Sequence, residues 1–150
     1  MNISFDLDST LIPNGEEFET EKTSKISQIL GIERIRKGSV QLITDLQNDG
    51  HNVHIYTTSF RPRAKIRWLL RYHGIKVGRI INETENIKVL KSLNIISSKY
   101  PPAFKFDIHI DDSKGVGIES ERLDFKVIIV EPSDENWDKK VKRIINNKIS

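Results

Sequence analysis

At four places in this chain, oxygen-bearing side chains or a lysine interrupt or border an apolar run. Asp6, Asp8 and Thr10 close and follow the run Asn2–Asp6, and Thr57, Thr58 and Ser59 do the same for Asn52–Thr57. Asp111 and Asp112 follow Lys105–Ile110, and Lys99 stands shortly before that run. Packing gives no reason for polar groups to end three apolar runs so abruptly. Their chemistry gives one. Mg²⁺ prefers hard oxygen ligands and is held by one or two carboxylates, here Asp6 and Asp111, together with phosphate oxygens and water. A carboxylate beside a metal can attack phosphorus, and a second acid two residues on, Asp8, can protonate a leaving oxygen and later deprotonate water. Hydroxyls and backbone N–H groups at Thr57, Thr58 and Ser59 can hold phosphoryl oxygens. A lysine can neutralise the charge that gathers there.

Such groups work only if the fold brings them to one edge. The pattern predicts strands over Asn2–Asp6, Asn52–Thr57, Gly78–Ile81, Lys105–Ile110 and Phe125–Val130, the last almost wholly apolar, as a strand covered on both faces should be. Between them, Glu17–Leu30 is helix-compatible, with Ile26, Ile29 and Leu30 at helical spacing. Ser39 can cap a helix bearing Val40, Ile43 and Leu46 and stopping at Asn48-Asp49-Gly50. Pro62 suits the start of a helix with Ile66, Leu69 and Leu70 on one face. Further helices are expected near Glu83–Leu93 and from about Asp134, the last burying Trp137, Val141, Ile144 and Ile145. Strands alternating with helices imply an α/β fold, a three-layer sandwich around a mostly parallel five-stranded sheet. In such a sheet ligands bind beyond the carboxyl ends of the strands, where these polar groups fall.

The chain has 150 residues, expected to form one domain over 1–150, with residues 12–37 as a flap or minimal cap and no large cap. There are no cysteines, which excludes disulfides, thiolate metal sites and cysteine nucleophiles. No apolar run approaches the roughly 18 residues of a membrane span, and no basic n-region precedes the first strand. The expected location is the cytoplasm. Net charge is only +3, and the basic concentrations at Arg61–Arg71 and Lys139–Arg143 are spaced like solvated helix faces. Composition does not call for a nucleic-acid partner and does not exclude one.

Taken together, Phe5-Asp6-Leu7-Asp8-Ser9-Thr10-Leu11 resembles the first motif of the haloacid dehalogenase (HAD) superfamily, Asp-x-Asp-x-Thr after a hydrophobic strand. Ile55-Tyr56-Thr57-Thr58 resembles the second motif, and His109-Ile110-Asp111-Asp112-Ser113 the fourth. The resemblance spans roughly residues 1–131. It implies a small capless phosphatase with strand order 5-4-1-2-3 and a Mg²⁺ cofactor. Asp6 would be the nucleophile, Asp8 the general acid/base and Thr57 or Thr58 the phosphate holder. The metal would be held by Asp6, by the backbone carbonyl of Asp8, and by Asp111, with Asp112 a ligand or a carboxylate behind it. The third motif is a lone lysine. Lys99 is the residue expected to fill it, because a loop just before the fourth strand suits the role; Lys88 and Lys91 fit a helix-borne version, and Lys105 is expected to alternate out of the site. The substrate is expected to be a phosphorylated small molecule or a polynucleotide end, with the oligomeric state left open.

The same residues admit other readings. Asp6, Asp8, Thr10 and Glu17 fall at EF-hand ligand positions, but the sixth position, where the loop demands glycine, is Leu11. A receiver domain places its acceptor aspartate at the end of strand three, where this chain has Ile80-Ile81-Asn82-Glu83. A binding or regulatory domain keeping the fold without turnover is the alternative from another class, opposed by the presence of Asp6, Asp8 and Asp111 together. His51, His54, His73 and His109 lack metal-ligand spacing and receive no role. Trp68 and Trp137 are expected to pack rather than stack on a ligand. Arg36 and Arg61 could each reach a substrate from the rim.

Overall fold

A computed structural model describes residues 1–147. Five strands, β1 (Asn2–Phe5), β2 (Asn52–Tyr56), β3 (Ile80–Ile81), β4 (Ile108–Asp111) and β5 (Val127–Ile129), form one parallel sheet in the order β3-β2-β1-β4-β5. This is the expected order, with β1 central. Six α-helices accompany them: α1 (Lys25–Ile29), α2 (Ser39–Asn48), α3 (Arg63–Tyr72), α4 (Glu83–Ser92), α5 (Lys114–Leu123) and α6 (Trp137–Asn147). Among the described residues no helix is long and apolar enough to cross a membrane.

Strand periodicity gives the sheet two unlike faces. Ile3 and Phe5 of β1, Val53 and Ile55 of β2, and Ile108 and Ile110 of β4 are buried in the main core with Leu42, Ile43 and Leu46 of α2, Ile66 and Leu70 of α3, and Trp137, Val141 and Ile145 of α6. The opposite face carries Ser4, His54, Tyr56 and His109, brought side by side by the register Ser4↔His54 and Ser4↔His109. There a smaller aromatic cluster of Tyr56, Phe104 and Phe106 packs with Ile81. A polar side chain on this face is buried among partners that can hydrogen-bond it, which is how His109 and Asp111 are accommodated.

Several local expectations change. Ser39 does not cap α2; it is the first helical residue, and the cap is Gly38 at φ 86°, a left-handed conformation that favours glycine. Only Lys25–Ile29 of the segment Glu17–Leu30 is helical, and Ile26, Ile29 and Leu30 are exposed instead of buried. A helix that short cannot turn one face inward along its length. Helix α5 follows a stretch read from sequence only as a possible helix cap and given no helix range, since Gly115 and Gly117 weaken its helical signal. Its Ser113 cap accepts the Val116 N–H. Trp137 is buried, whereas Trp68 is 58% exposed and does not join the core.

The segment 12–37 folds back on itself. Thr20 and Arg36 form an antiparallel bridge, and Glu21 and Lys37 donate backbone bonds to Ile35 and Glu19. Arg36 is buried between the rings of Phe18 and Trp137, and its Nη2 donates to the carbonyls of Glu131, Pro132 and Asp134. It therefore ties the segment to the turn before α6 and does not reach the sheet edge as a rim residue.

Candidate active site

β1, β2 and β4 end side by side, so the residues that follow them share one edge of the sheet. The structure brings Asp6, Asp111, Asp112 and Lys99 together there. Lys99 Nζ lies 2.6 Å from Asp6 Oδ1 and 2.6 Å from Asp111 Oδ2, and all three side chains are buried. One oxygen from each of Asp6, Asp111 and Asp112 falls within 4.8 Å of the others. Thr10 donates to Asp112 Oδ1 at 3.0 Å, which fixes that carboxylate across from β1. Of the other lysines weighed, Lys88, Lys91 and Lys105 are exposed and make no bond to these acids.

Lys99 is positioned by a network no single motif reveals. Tyr56 donates its hydroxyl hydrogen to Asn86 Oδ1 at 2.5 Å and accepts the Tyr100 N–H at 2.8 Å, while Asn86 Nδ2 donates to the Ser98 carbonyl. From α5, Glu119 accepts the Ser98 N–H at 2.8 Å and the Ser98 hydroxyl at 2.6 Å. Strand β2 and helices α4 and α5 thus hold both sides of the loop that carries Lys99. The sequence signal was faint: a polar residue among apolar ones on α4 and an acid in a stretch given no helix range.

His109 was also missed. It lies two residues before Asp111 on the same face of β4, so its ring reaches that carboxylate at 2.9 Å through Nε2, and Nδ1 lies 2.9 Å from Ser4 Oγ. Full burial pulls the His109 pKa down, against the opposing pull of the Asp111 carboxylate; Nε2 faces that carboxylate, and Nδ1 faces both the Ser4 hydroxyl and, at 3.2 Å, the Ser4 carbonyl oxygen.

The two acids bridged by Lys99 respond oppositely. Burial raises the Asp6 carboxyl well above the ordinary value, against the opposing pull of Lys99 and with a further push from Asp111. Burial also works against the Asp111 anion, but hydrogen bonds from His109 and Lys99 outweigh it and hold Asp111 below the usual carboxylate range. Asp111 is the better anion because it has more donors: the Ser113 N–H adds a third at 2.8 Å. For Lys99, burial is overcome by the two anions and its pKa is raised. Burial raises Asp112 as well, with Asp111 adding to the shift. Three carboxylates face one ammonium, and two of the three resist ionising. The all-oxygen donor set of Asp6, Asp111 and Asp112 fits a hard divalent cation such as Mg²⁺.

Asp8 sits apart from this cluster. Its carboxylate turns outward to Arg61, whose Nη1 lies 2.8 and 2.9 Å from the two oxygens, while Arg61 Nη2 bonds Glu33 at 2.7 Å. Arg61 is therefore a residue of the site, placed by the Ser59 hydroxyl at 3.0 Å and by Glu33 from the 12–37 segment. Thr57 is buried and accepts the Ser59 N–H at 3.1 Å, which shapes the loop; Thr58 is exposed at its tip.

No known protein-family model matches the chain. No curated protein matches it in sequence. Among solved structures, a predicted phosphatase from Clostridium acetobutylicum superposes with a TM-score of 0.54 over 99% of this chain and 97% of its own, at 14% identity. A predicted HAD-like family hydrolase from Porphyromonas gingivalis does so with a TM-score of 0.51 over 96% and 97%, also at 14% identity. This chain has the HAD-like fold. Within that HAD-like sheet, the acids and Lys99 sit at the carboxyl ends of the strands, where parallel sheets bind ligands.

Proposed function

We propose that this protein is a Mg²⁺-dependent phosphomonoester hydrolase that works through a phospho-aspartate on Asp6. The observation that supports it most is Lys99 Nζ bridging Asp6 and Asp111, with Asp112 beside them, at the carboxyl edge of the sheet. Such a cluster is costly to bury unless each charge has a use.

Asp6, Asp111 and Asp112, with the backbone carbonyl of Asp8, would hold the ion. When bound, Mg²⁺ neutralises phosphoryl oxygens and keeps Asp6 ionised. The chain's own groups do the rest. An Asp6 oxygen attacks phosphorus as the bond to the leaving alkoxide breaks, and Asp8 gives that alkoxide its proton. Water then attacks the phosphorus of the aspartyl phosphate, the bond to Asp6 breaks, and Asp8 takes the water's proton as orthophosphate leaves. Lys99 offsets negative charge on Asp6 and on the transferring oxygens. Thr58, through its hydroxyl and its backbone N–H, holds those oxygens, since the Thr57 and Ser59 N–H groups already bond Ile81 and Thr57, and Arg61 keeps the Asp8 carboxyl at the mouth. The segment 12–37 flanks that mouth through Glu33.

Hydrolysis of p-nitrophenyl phosphate by the purified protein tests this reading. Mg²⁺-dependent release that Asp6→Asn abolishes is the expected result. Release that survives Asp6→Asn would refute it, as would the absence of both release and a Mg²⁺-dependent beryllofluoride adduct on Asp6.

A further inference from the structure

From Ser59 to Asn82 the chain carries seven basic side chains and no acid. Most are committed. Arg61 is held by Asp8 and Glu33, Arg63 and Arg79 share Glu85, and Arg67 donates to the carbonyls of Val77 and Gly78. Lys65 and Arg71 are exposed and have no acidic partner among the described residues. Lys65 and Arg71 each lie three residues from Trp68, so the three follow one another along the exposed surface of α3, with Arg71 opposite the buried face of Ile66, Leu69 and Leu70 and Lys65 on its flank.

Trp68 is 58% exposed and Phe60 is 69% exposed. Neither is needed by the core, and large exposed aromatic surface usually marks a contact. Trp68 is steadied by Tyr72, with ring centroids 6.1 Å apart. Phe60 directly follows the Thr57–Ser59 loop, at the point where a substrate's phosphate would enter. The stripe therefore begins at the mouth of the site and runs along a helix about 15 Å long, alternating π-faces with unneutralised cations. A mononucleotide would reach only its near end.

We propose that this stripe, Phe60, Lys65, Trp68 and Arg71, is a track for single-stranded nucleic acid whose terminal phosphate enters the site. This rests on the phosphatase reading for the chemistry, though not for the binding. Bases stack on Phe60 and Trp68, and backbone phosphates meet Lys65 and Arg71. A second copy of this chain is a poorer occupant of the same face. A two-fold contact across it would set Lys65 and Arg71 against their own copies without an acid to offset them.

The test is fluorescence anisotropy of a labelled single-stranded 12-mer without a terminal phosphate, titrated with wild-type protein in Mg²⁺, so that turnover plays no part. Binding should weaken as salt rises, and Trp68→Ala should weaken it about fivefold to a hundredfold, with Trp68→Phe restoring most of the loss. Lys65→Glu with Arg71→Glu should flatten the salt dependence. No binding at low salt would overturn the proposal, as would binding indifferent to all these changes, or a dimer that Trp68→Ala dissolves. p-Nitrophenyl phosphate hydrolysis by wild type separates the two claims. An oligonucleotide bound without ester hydrolysis defeats the phosphatase reading alone, and hydrolysis without oligonucleotide binding defeats the track alone.

Discussion

Two ion-paired groups stand at the same edge of the sheet, and they are built differently. In the first, Lys99, Asp6 and Asp111 are 4%, 9% and 1% exposed, and Lys99 is held by bonds from β2, α4 and α5 to its loop. In the second, Arg61 and Asp8 are 24% and 46% exposed, and Arg61 takes its bearings from loops alone. The buried group has one geometry and strong fields, since little water screens it. The open group can exchange partners at small cost. That division suits an enzyme whose attacking group must be fixed while its proton carrier meets varied leaving groups.

Breaking the buried group should have the largest effect. Lys99→Met is expected to lower kcat about a hundredfold to a thousandfold, in the range seen when a preorganised charge donor is removed. It should also destabilise the metal-free protein by about 3–5 kcal/mol, because it leaves Asp6 and Asp111 facing each other in a buried site. Denaturant titration beside turnover assays measures both.

Asp6→Asn separates chemistry from stability within the same group. The folded Asp6 pKa is raised from 3.8 to about 7 in the metal-free protein. The fold then binds more protons than the unfolded chain between those values, so this carboxyl's contribution is full below the lower value and lost as pH rises through the upper one. The amide does not titrate. Asp6→Asn should therefore abolish hydrolysis and yet raise metal-free stability above wild type at pH 8, with the gap closing toward pH 4. Thermal melts in EDTA across that range check the sign.

Loosening the frame of Lys99 should cost less. Tyr56→Phe removes the acceptor for the Tyr100 N–H and the donor to Asn86, for a loss of about 1–3 kcal/mol. Turnover should fall about tenfold with little change in KM, since Lys99 shifts while the mouth is untouched. The smallest effect is expected in the open group. Arg61→Gln should change stability by less than about 1 kcal/mol and lower kcat by no more than about tenfold. A larger destabilisation on unfolding in urea would mean that the Arg61–Asp8 pair is structural after all.

The same division governs what the sequence reveals. Asp6, Asp8 and Asp111 stood out as candidates because short apolar strands ending in acids have few alternatives, while the sheet order was expected only through the resemblance those motifs carry. Lys99 was picked over Lys88 and Lys91 by its place in a loop alone, whereas what positions it is the contact of Tyr56, Asn86 and Glu119 with that loop, across three elements. Arg61 was legible only as a rim residue; its bond to Asp8 depends on how the Ser59 turn closes. Arg36 could not be told from Arg61 by type or setting, yet it is buried against Phe18 and Trp137 because segment 12–37 folds onto α6. Trp68 was expected to pack in the core or at the domain edge by period alone, since periodicity marks a face and not whether anything covers it.

The central claim is that Asp6 carries the phosphoryl group. Wild-type protein turning over substrate with Mg²⁺ can be quenched in acid, reduced with borohydride and mapped by mass spectrometry, which converts an aspartyl phosphate to homoserine. Homoserine at position 6, and none in protein incubated without substrate, is the predicted result. Turnover at full rate with no reduced residue at position 6 would contradict the account and point to direct attack by water.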